Sequence, residues 1–303
     1  MAHDFIAINW GSSNFRAFLL TADGAVREAF AEPAGIASLD RAGMEAQIER
    51  LLARWPGADE LYACGMVGSN VGWDDAGYAD CPIGLEGLAA LLHPARIAGR
   101  PLWIVPGLAC RRVADGAPDI MRGEETELFG LLRAGRLPRD GIVALPGTHG
   151  KWVKVVDGKV QEFMTAMSGE VYDRLTAAGM LSSVVAGPAA PGAAFTAGVD
   201  AGIRRQPGLG TALFSVRARV IRGDLAKDDA ASFLRGLLIG SEVADASSLY
   251  ALNPAVTLVG AAPVCELYAA ALAHLGIRSQ MVDAADATAQ GFAGIHAARH
   301  SHA

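Results

Sequence analysis

A duplicated α/β fold, with two lobes around a central cleft, is what this sequence predicts. Three observations carry that expectation. A strand, a turn of small residues, a second strand, an Asp-Gly turn and a third strand occur near the N-terminus and again after residue 140. Strand and helix patterns alternate between and after the two copies. Of the 303 residues 51% are apolar and 19% charged, which suits a large buried core and not a disordered chain. No exposed linker separates the copies, so the expected lobes pack closely.

The first copy opens on the buried strand Phe5-Ile6-Ala7-Ile8 and turns at Gly11-Ser12-Ser13. Residues 15–21 form the next strand, with Phe15, Ala17 and Leu19 on one face by the two-residue period. Asp23-Gly24 makes a hairpin turn, since glycine accepts the positive φ needed there, and residues 25–30 complete the meander. Met44, Ile48, Leu51, Leu52 and Trp55 then recur at helical spacing until Pro56-Gly57. Short strands are expected at 61–64 and 102–105. A helix is expected at 124–134, where two carboxylates suit the positive end of the helix dipole.

In the second copy residues 142–145 are the strand and Pro146-Gly147-Thr148-His149-Gly150 the turn. Strands at 151–156 and 159–164 flank Asp157-Gly158. Laid on the first copy, Gly147 falls on Gly11 and Thr148 on Ser12. Beyond it, Phe233, Leu237 and Leu238 mark a helix with Asp228-Asp229 near its start. A strand at 255–259 ends on Gly260, and a helix at 263–275 has Pro263 near its start and Gly276 just past its end. A strand at 280–282 and a helix at 284–299 close the chain. The expected division is a lobe over 1–139 and a lobe over 140–285. A helix of about 286–303 packs back on the first.

The charge balance, 26 basic against 32 acidic residues for a net −6, contains no run of like charges. That argues against nucleic-acid and membrane-surface partners. No stretch approaches the roughly 18 apolar residues of a membrane span, and Met1-Ala2-His3-Asp4-Phe5 lacks the regions of a signal peptide. Cys64, Cys81, Cys110 and Cys265 are widely spaced with no CxxC pair, which points to a reducing cytoplasm without a zinc or disulfide framework. His296, His300 and His302 read as a solvated tail and not as ligands.

Tight turns of small residues bind phosphate through convergent backbone N–H groups. Gly11-Ser12-Ser13-Asn14 and Gly147-Thr148-His149-Gly150 are two such turns, and Arg16 and Lys151 add positive charge beside them. Met121-Arg122-Gly123-Glu124-Glu125-Thr126 places paired carboxylates and an arginine at a helix start, suited to a general base and an anion clamp. First-turn glutamates also occur for the dipole alone. Gly65-Met66-Val67-Gly68-Ser69-Asn70-Val71-Gly72 follows a strand, but its spacing is not GxGxxG and Trp73-Asp74-Asp75-Ala76-Gly77 is no helix start. It reads as a long functional loop.

Four of these segments, 8–16, 65–73, 121–126 and 146–153, taken together resemble the 2-dehydro-3-deoxygalactonokinase family. Phe195-Thr196-Ala197-Gly198 and residues 236–243 support the match, which spans nearly the whole chain. The resemblance implies the acetate and sugar kinase–actin superfamily fold, with two ribonuclease-H-like lobes around a nucleotide cleft. It also implies ATP, Mg²⁺ and transfer to the 6-hydroxyl of 2-dehydro-3-deoxy-D-galactonate. By the same resemblance Gly11, Ser12, Ser13, Asn14 and Arg16 form the first phosphate site. Gly147, Thr148, His149 and Lys151 form the second, and Gly260 and Ala261 stand on the adenosine side.

Asn9 stands where relatives carry an aspartate, so it supports the metal only weakly and indirectly. Pro146 likewise stands where many relatives carry an aspartate. Glu124 takes the place of the base in the related bacterial glucokinases, with Glu125 and then Glu170 as alternatives. Arg122 is expected to meet the carboxylate of the sugar acid. Gly68, Ser69, Asn70, Trp73, Tyr78 and Glu170 are expected to line its pocket. The oligomeric state is open, a homo-oligomer included.

Overall fold

The computed structural model describes residues 4–21, 23–58, 60–204 and 207–301. The chain starts as an antiparallel meander of β1 (Phe5–Trp10), β2 (Phe15–Leu20) and β3 (Val26–Glu32). α1 (Arg41–Arg54) begins where Asp40 accepts the Gly43 amide at 2.8 Å, an N-cap that satisfies an otherwise unpaired donor. β4 (Glu60–Cys64) then runs parallel to β1, with Phe5 opposite Glu60 and Asn9 opposite Cys64. After β5 (Tyr78–Asp80) and α2 (Leu85–Ala90), β6 (His93–Ile97) and β7 (Arg100–Ile104) finish a sheet of order β3-β2-β1-β4-β7-β6. β8 (Gly107–Arg111) and β9 (Pro118–Met121) join β5 in a small sheet, and α3 (Glu124–Arg133) follows.

The meander then repeats as β10 (Gly141–Leu145), β11 (Gly150–Val156) and β12 (Lys159–Ala166). Asp157 and Gly158, with φ of 51° and 71°, make the tight turn that the Asp-Gly pair predicts. Four helices come next: α4 (Ser168–Ala177), α5 (Ala193–Ile203), α6 (Leu209–Arg222) and α7 (Ala230–Leu249). β13 (Val256–Val259), α8 (Ala262–His274), β14 (Ser279–Val282) and α9 (Ala287–Ser301) complete the described chain. β13 lies parallel to β10 and β14 parallel to β13, giving the order β12-β11-β10-β13-β14. Both sheets therefore set a parallel strand on the far side of their first strand, and the predicted duplication is real.

Burial explains the layering. One face of the first sheet, with Ile6, Ile8, Phe15 and Ala17, packs on Met44, Ile48 and Leu51 of α1. The outer face of the second sheet, with Ala144, Trp152 and Leu258, packs on α5, α7 and α8. Between the sheets, Leu128, Phe129 and Leu131 of α3 and Phe292 and Ile295 of α9 share a core with residues of both. Each such side chain, fully buried, contributes roughly 1.5–3 kcal/mol. No helix among the described residues is long and apolar enough to cross a membrane.

The small sheet leans on β12, the edge strand of the second sheet. Asp119 accepts from the Thr165 amide at 2.8 Å and its hydroxyl at 2.7 Å, and Glu162 accepts the Val113 amide at 2.6 Å. The segment that carries Tyr78 and leads into Arg122 is thus supported from the second sheet.

The C-terminal histidines correct the sequence reading. His296 is no solvated residue: its ring stacks on Phe5 at 4.1 Å and its side chain is 11% exposed. The reason is that α9 buries one face on α2, α3 and the first sheet, and His296 lies on it. His300 is half-exposed, and His302 lies outside the described residues.

α3 and α9 touch backbone to backbone. A Cβ on Gly291 would stand 2.0 Å from the Thr126 carbonyl oxygen, and one on Gly130 2.0 Å from that of Ala287. Gly291→Ala should therefore lower stability by about 1–3 kcal/mol in urea denaturation, the usual cost of overpacking. Gly57→Ala, where a Cβ meets nothing within 4 Å, should change it little.

Candidate active site

The first anion loop is the turn between β1 and β2. Gly11 closes it by donating its amide to the Asn14 carbonyl at 3.0 Å. The Ser12 and Ser13 amides have no partner among the described residues, and Ser12, Ser13 and Asn14 are exposed. Behind the loop, Ile36 donates to Gly11 and Ala37 to Ser12, each at 3.0 Å. That approach needs Gly35, where a Cβ would sit 2.2 Å from the Ser12 carbonyl oxygen. Asn9, the loop and Arg16 line a cavity of about 330 Å³.

The second loop, between β10 and β11, repeats the design. The Thr148 and His149 amides likewise have no partner among the described residues. Behind them the Glu170 amide donates to the Thr148 carbonyl at 2.9 Å, and a Cβ on Gly169 would sit 2.2 Å from the Gly147 carbonyl oxygen. Gly35 and Gly169 each stand three residues past the end of the third strand of their meander. The sequence reading missed both glycines. Aligning the two copies beyond the third strand is the signal that finds them.

A buried carboxylate supports the second loop from below. Glu242 on α7 accepts from Trp152 Nε1 at 2.7 Å and the Tyr268 hydroxyl at 2.8 Å, and also from Ser168. Burial pushes its pKa up. The Glu170 side chain belongs to this loop: His149 Nε2 meets it at 2.7 Å and, with Arg174, holds its carboxyl below the usual range.

The start of α3 meets the second sheet. Glu124 Oε1 lies 3.2 Å from Nζ of Lys151, whose side chain is 5% exposed against 32% for Glu124. Lys151 also donates to the His149 carbonyl at 2.9 Å, so one ammonium ties α3 to the second loop. The neighbouring carboxylates differ. Glu125, expected in the catalytic set, is 0% exposed and accepts the Gly123 amide at 2.6 Å. The helix turns it into the core. Burial, then Glu124, pushes its pKa to about 8. The same causes push Glu127, a residue the sequence reading passed over, to about 7.

Arg122, at the end of β9, has its guanidinium 4.4 Å from the Tyr78 ring centre and donates from Nη2 to the Gly77 carbonyl at 2.9 Å. Its Nε and Nη1 are buried without a partner among the described residues, and Nη1 stands beside Gly68. Ser69 is buried and donates to the Met66 carbonyl, while Asn70 is exposed. Trp73 does not wall a pocket as expected. It is 7% exposed in the core under α1, gives its N–H to the Arg96 carbonyl at 2.8 Å and stacks with Arg41 at 3.9 Å.

Gly260, at the end of β13, and Ala261 face Arg16 and Glu127 across an open trough of about 490 Å³ that Asp283 and Thr288 also line. Two repeated sheets with an open loop on each and a carboxylate–lysine pair between them are the architecture of the actin-like ATPase fold, to which small-molecule kinases belong.

The family described as 2-keto-3-deoxy-galactonokinase matches residues 9–295, and the chain belongs to it. It is similar to "Probable 2-dehydro-3-deoxygalactonokinase DgoK1" of Rhizobium meliloti (strain 1021), 37% identical over 296 residues, 95% of this chain and 94% of that one. It is also 34% identical to the 2-dehydro-3-deoxygalactonokinase of Escherichia coli (strain K12), over 91% of each chain. A crystal structure of a 2-dehydro-3-deoxygalactonokinase-family protein from Sinorhizobium meliloti superposes with a TM-score of 0.86 at 36% identity, covering 98% of both chains.

The raised carboxyls fix a pH dependence. Glu125 holds its proton in the folded state up to about pH 8 but loses it near 4.5 when unfolded, so its contribution is full below about 4.5 and lost as pH rises through 8. Glu127 acts in the same sense up to about 7. Stability should fall by roughly 1 kcal/mol per pH unit per group across that window. Glu125→Gln should flatten the slope and gain on the wild type near pH 8. Parallel melting curves from pH 5 to 8.5 would refute the burial argument.

Proposed function

We propose that the protein transfers the γ-phosphoryl group of ATP to the 6-hydroxyl of 2-dehydro-3-deoxy-D-galactonate, as the names of its relatives suggest. The observation that carries the assignment of roles is the Glu124–Lys151 pair between the two open loops. The unpaired amides of Ser12, Ser13, Thr148 and His149 suit phosphate oxygens, and Arg16 adds charge at the trough. Gly260 and Ala261 take the adenosine side. For a metal the protein offers little at the first loop beyond the neutral oxygen of Asn9, which fits Mg²⁺ held mainly by phosphate and water. Mg²⁺ bound with ATP would neutralise the phosphate oxygens.

Glu124, not the sealed Glu125, takes the proton of the acceptor hydroxyl. As that oxygen bonds to the γ-phosphorus, the bond to the ADP oxygen breaks and the proton stays on Glu124. Lys151 keeps the Glu124 carboxylate placed, and a loose transition state leaves positioning as most of the protein's task. Arg122 meets the substrate carboxylate. Two buried N–H groups without partners cost about 1–3 kcal/mol each, a debt that an incoming anion cancels. Gly68 and Tyr78 border that guanidinium, so the loop that carries them opens to admit the acid. The lobes are proposed to divide at residue 139/140, with 286–303 returning to the first through the packing of α9 on α3.

Glu124→Gln should lower kcat by about 10² to 10⁴ while the KM for the sugar acid changes little, since the amide keeps the shape and loses the base. Near-normal kcat would remove Glu124 from the role. Arg122→Ala should raise the KM for the sugar acid about tenfold to a hundredfold, the value of a charge-assisted bond, with the KM for ATP little changed. Equal effects on both substrates would count against the clamp.

A further inference from the structure

Three side chains that phosphoryl transfer does not use meet at the end of the first sheet opposite its anion loop. Glu60 opens β4 beside Phe5, whereas the loop lies past the other end of β1. His296 and His300 are one helical turn apart on α9, so both present to β4. Glu60 Oε2 lies 3.1 Å from His300 Nε2 and 3.7 Å from His296 Nδ1. The three donor atoms all fall within 4.8 Å of one another. Donors at the corners of a tetrahedral zinc site, with bonds of about 2.0–2.1 Å, stand about 3.3 Å apart.

We propose that Glu60, His296 and His300 form a binding site for a divalent first-row transition metal ion, zinc foremost, that clasps α9 to β4. The ligand set decides the class of ion. Two imidazoles and one carboxylate suit zinc and its neighbours, whereas Mg²⁺ and Ca²⁺ favour oxygen donors throughout.

The surroundings resemble those behind metal ligands. His296 is clamped between the Phe5 face at 4.1 Å and the Tyr62 ring at 5.5 Å, which aims Nδ1 at Glu60 without further cost in side-chain freedom. The Tyr62 hydroxyl lies 2.9 Å from Glu60 Oε2 and 3.0 Å from His296 Nδ1, near a fourth corner. Glu60 Oε1 accepts from Arg299 at 2.7 Å, and that guanidinium stacks over Trp103 at 3.9 Å. A hydrogen bond to the oxygen that does not bind the metal is the usual way a ligating carboxylate is oriented. The same guanidinium, 3.4 Å from His300 Nε2, is an adverse charge and limits the affinity. His300, half-exposed, is the side from which the ion enters.

Titrating chelator-stripped full-length protein with zinc chloride by calorimetry should give one site per chain and a higher melting temperature. Cobalt(II) in its place should give the visible absorption of a four-coordinate ion. His300→Ala, at a half-exposed position, should keep the metal-free melting temperature within a few degrees. It should weaken zinc at least about a hundredfold, beyond the 10–100-fold typical of groups behind the ligands. Glu60→Gln should do the same. Absence of a one-to-one site in the wild type would overturn the proposal. So would unchanged affinity in both variants, which would put the ion on other histidines.

Discussion

Each anion loop must hold its amides open toward the cleft and still keep a single shape. An open amide cannot stiffen its own loop, because the hydrogen bond that would do so is the one reserved for the ligand. Stiffness has to come from behind. In this protein it comes from the segment after the third strand of each meander, which donates amides to the loop carbonyls at about the 3 Å of ordinary hydrogen bonds. The approach is closer than any side chain permits, and so Gly35 and Gly169 are required. The loops, the meanders and the parallel strands beside them are arranged around that constraint. Gly65 and Gly260 add a parallel feature: each ends the strand next to the loop strand with positive φ, close to the Trp10 and Pro146 carbonyls respectively.

The second dependence is the placement of α3. It sits with α9 between the two sheets, with Glu124 of its first turn partly exposed and Glu125 and Thr126 buried. Its packing on α9 leaves no room for side chains at Gly130 and Gly291, which sets how far α3 can shift. Lys151 reaches it from the other sheet, and its low exposure makes the contact a fixed one and not a solvent-screened surface pair. The position of Glu124 relative to the second loop is therefore decided by core packing, not by loop chemistry.

Much of this was legible in the sequence, and the failures share a cause. The two meanders could be read because buried strands, small-residue turns and Asp-Gly hairpins are local signals, and the repeat doubled their weight. The α5 and α6 region could not, because runs such as Ala193–Ile203 are rich in alanine and glycine and give little periodic contrast. Gly35 and Gly169 carry no local signal, since what they touch is far along the chain. Glu124 and Glu125 are adjacent and chemically alike, and only the direction in which α3 faces the core separates them. Trp73 and His296 were misjudged for the same reason. A loop and a terminus suggest exposure, but the ring of each is claimed by partners distant in sequence.

The acidity of the first turn of α3 would be a liability if all its carboxylates were ionised beside a triphosphate. Glu124, Glu125 and Glu127 together would place three negative charges near the phosphate loops, and repulsion at short range in a partly desolvated cleft is severe. Burial answers this. With Glu125 pushed to about 8 its charge is largely absent at neutral pH, that of Glu127, at about 7, is roughly halved, and Lys151 faces the Glu124 carboxylate. The helix retains the dipole benefit of polar first-turn residues while carrying well under three negative charges there. The desolvation that keeps Glu125 protonated is thus also what lowers the repulsion that the Glu124 carboxylate and any anion beside it would meet.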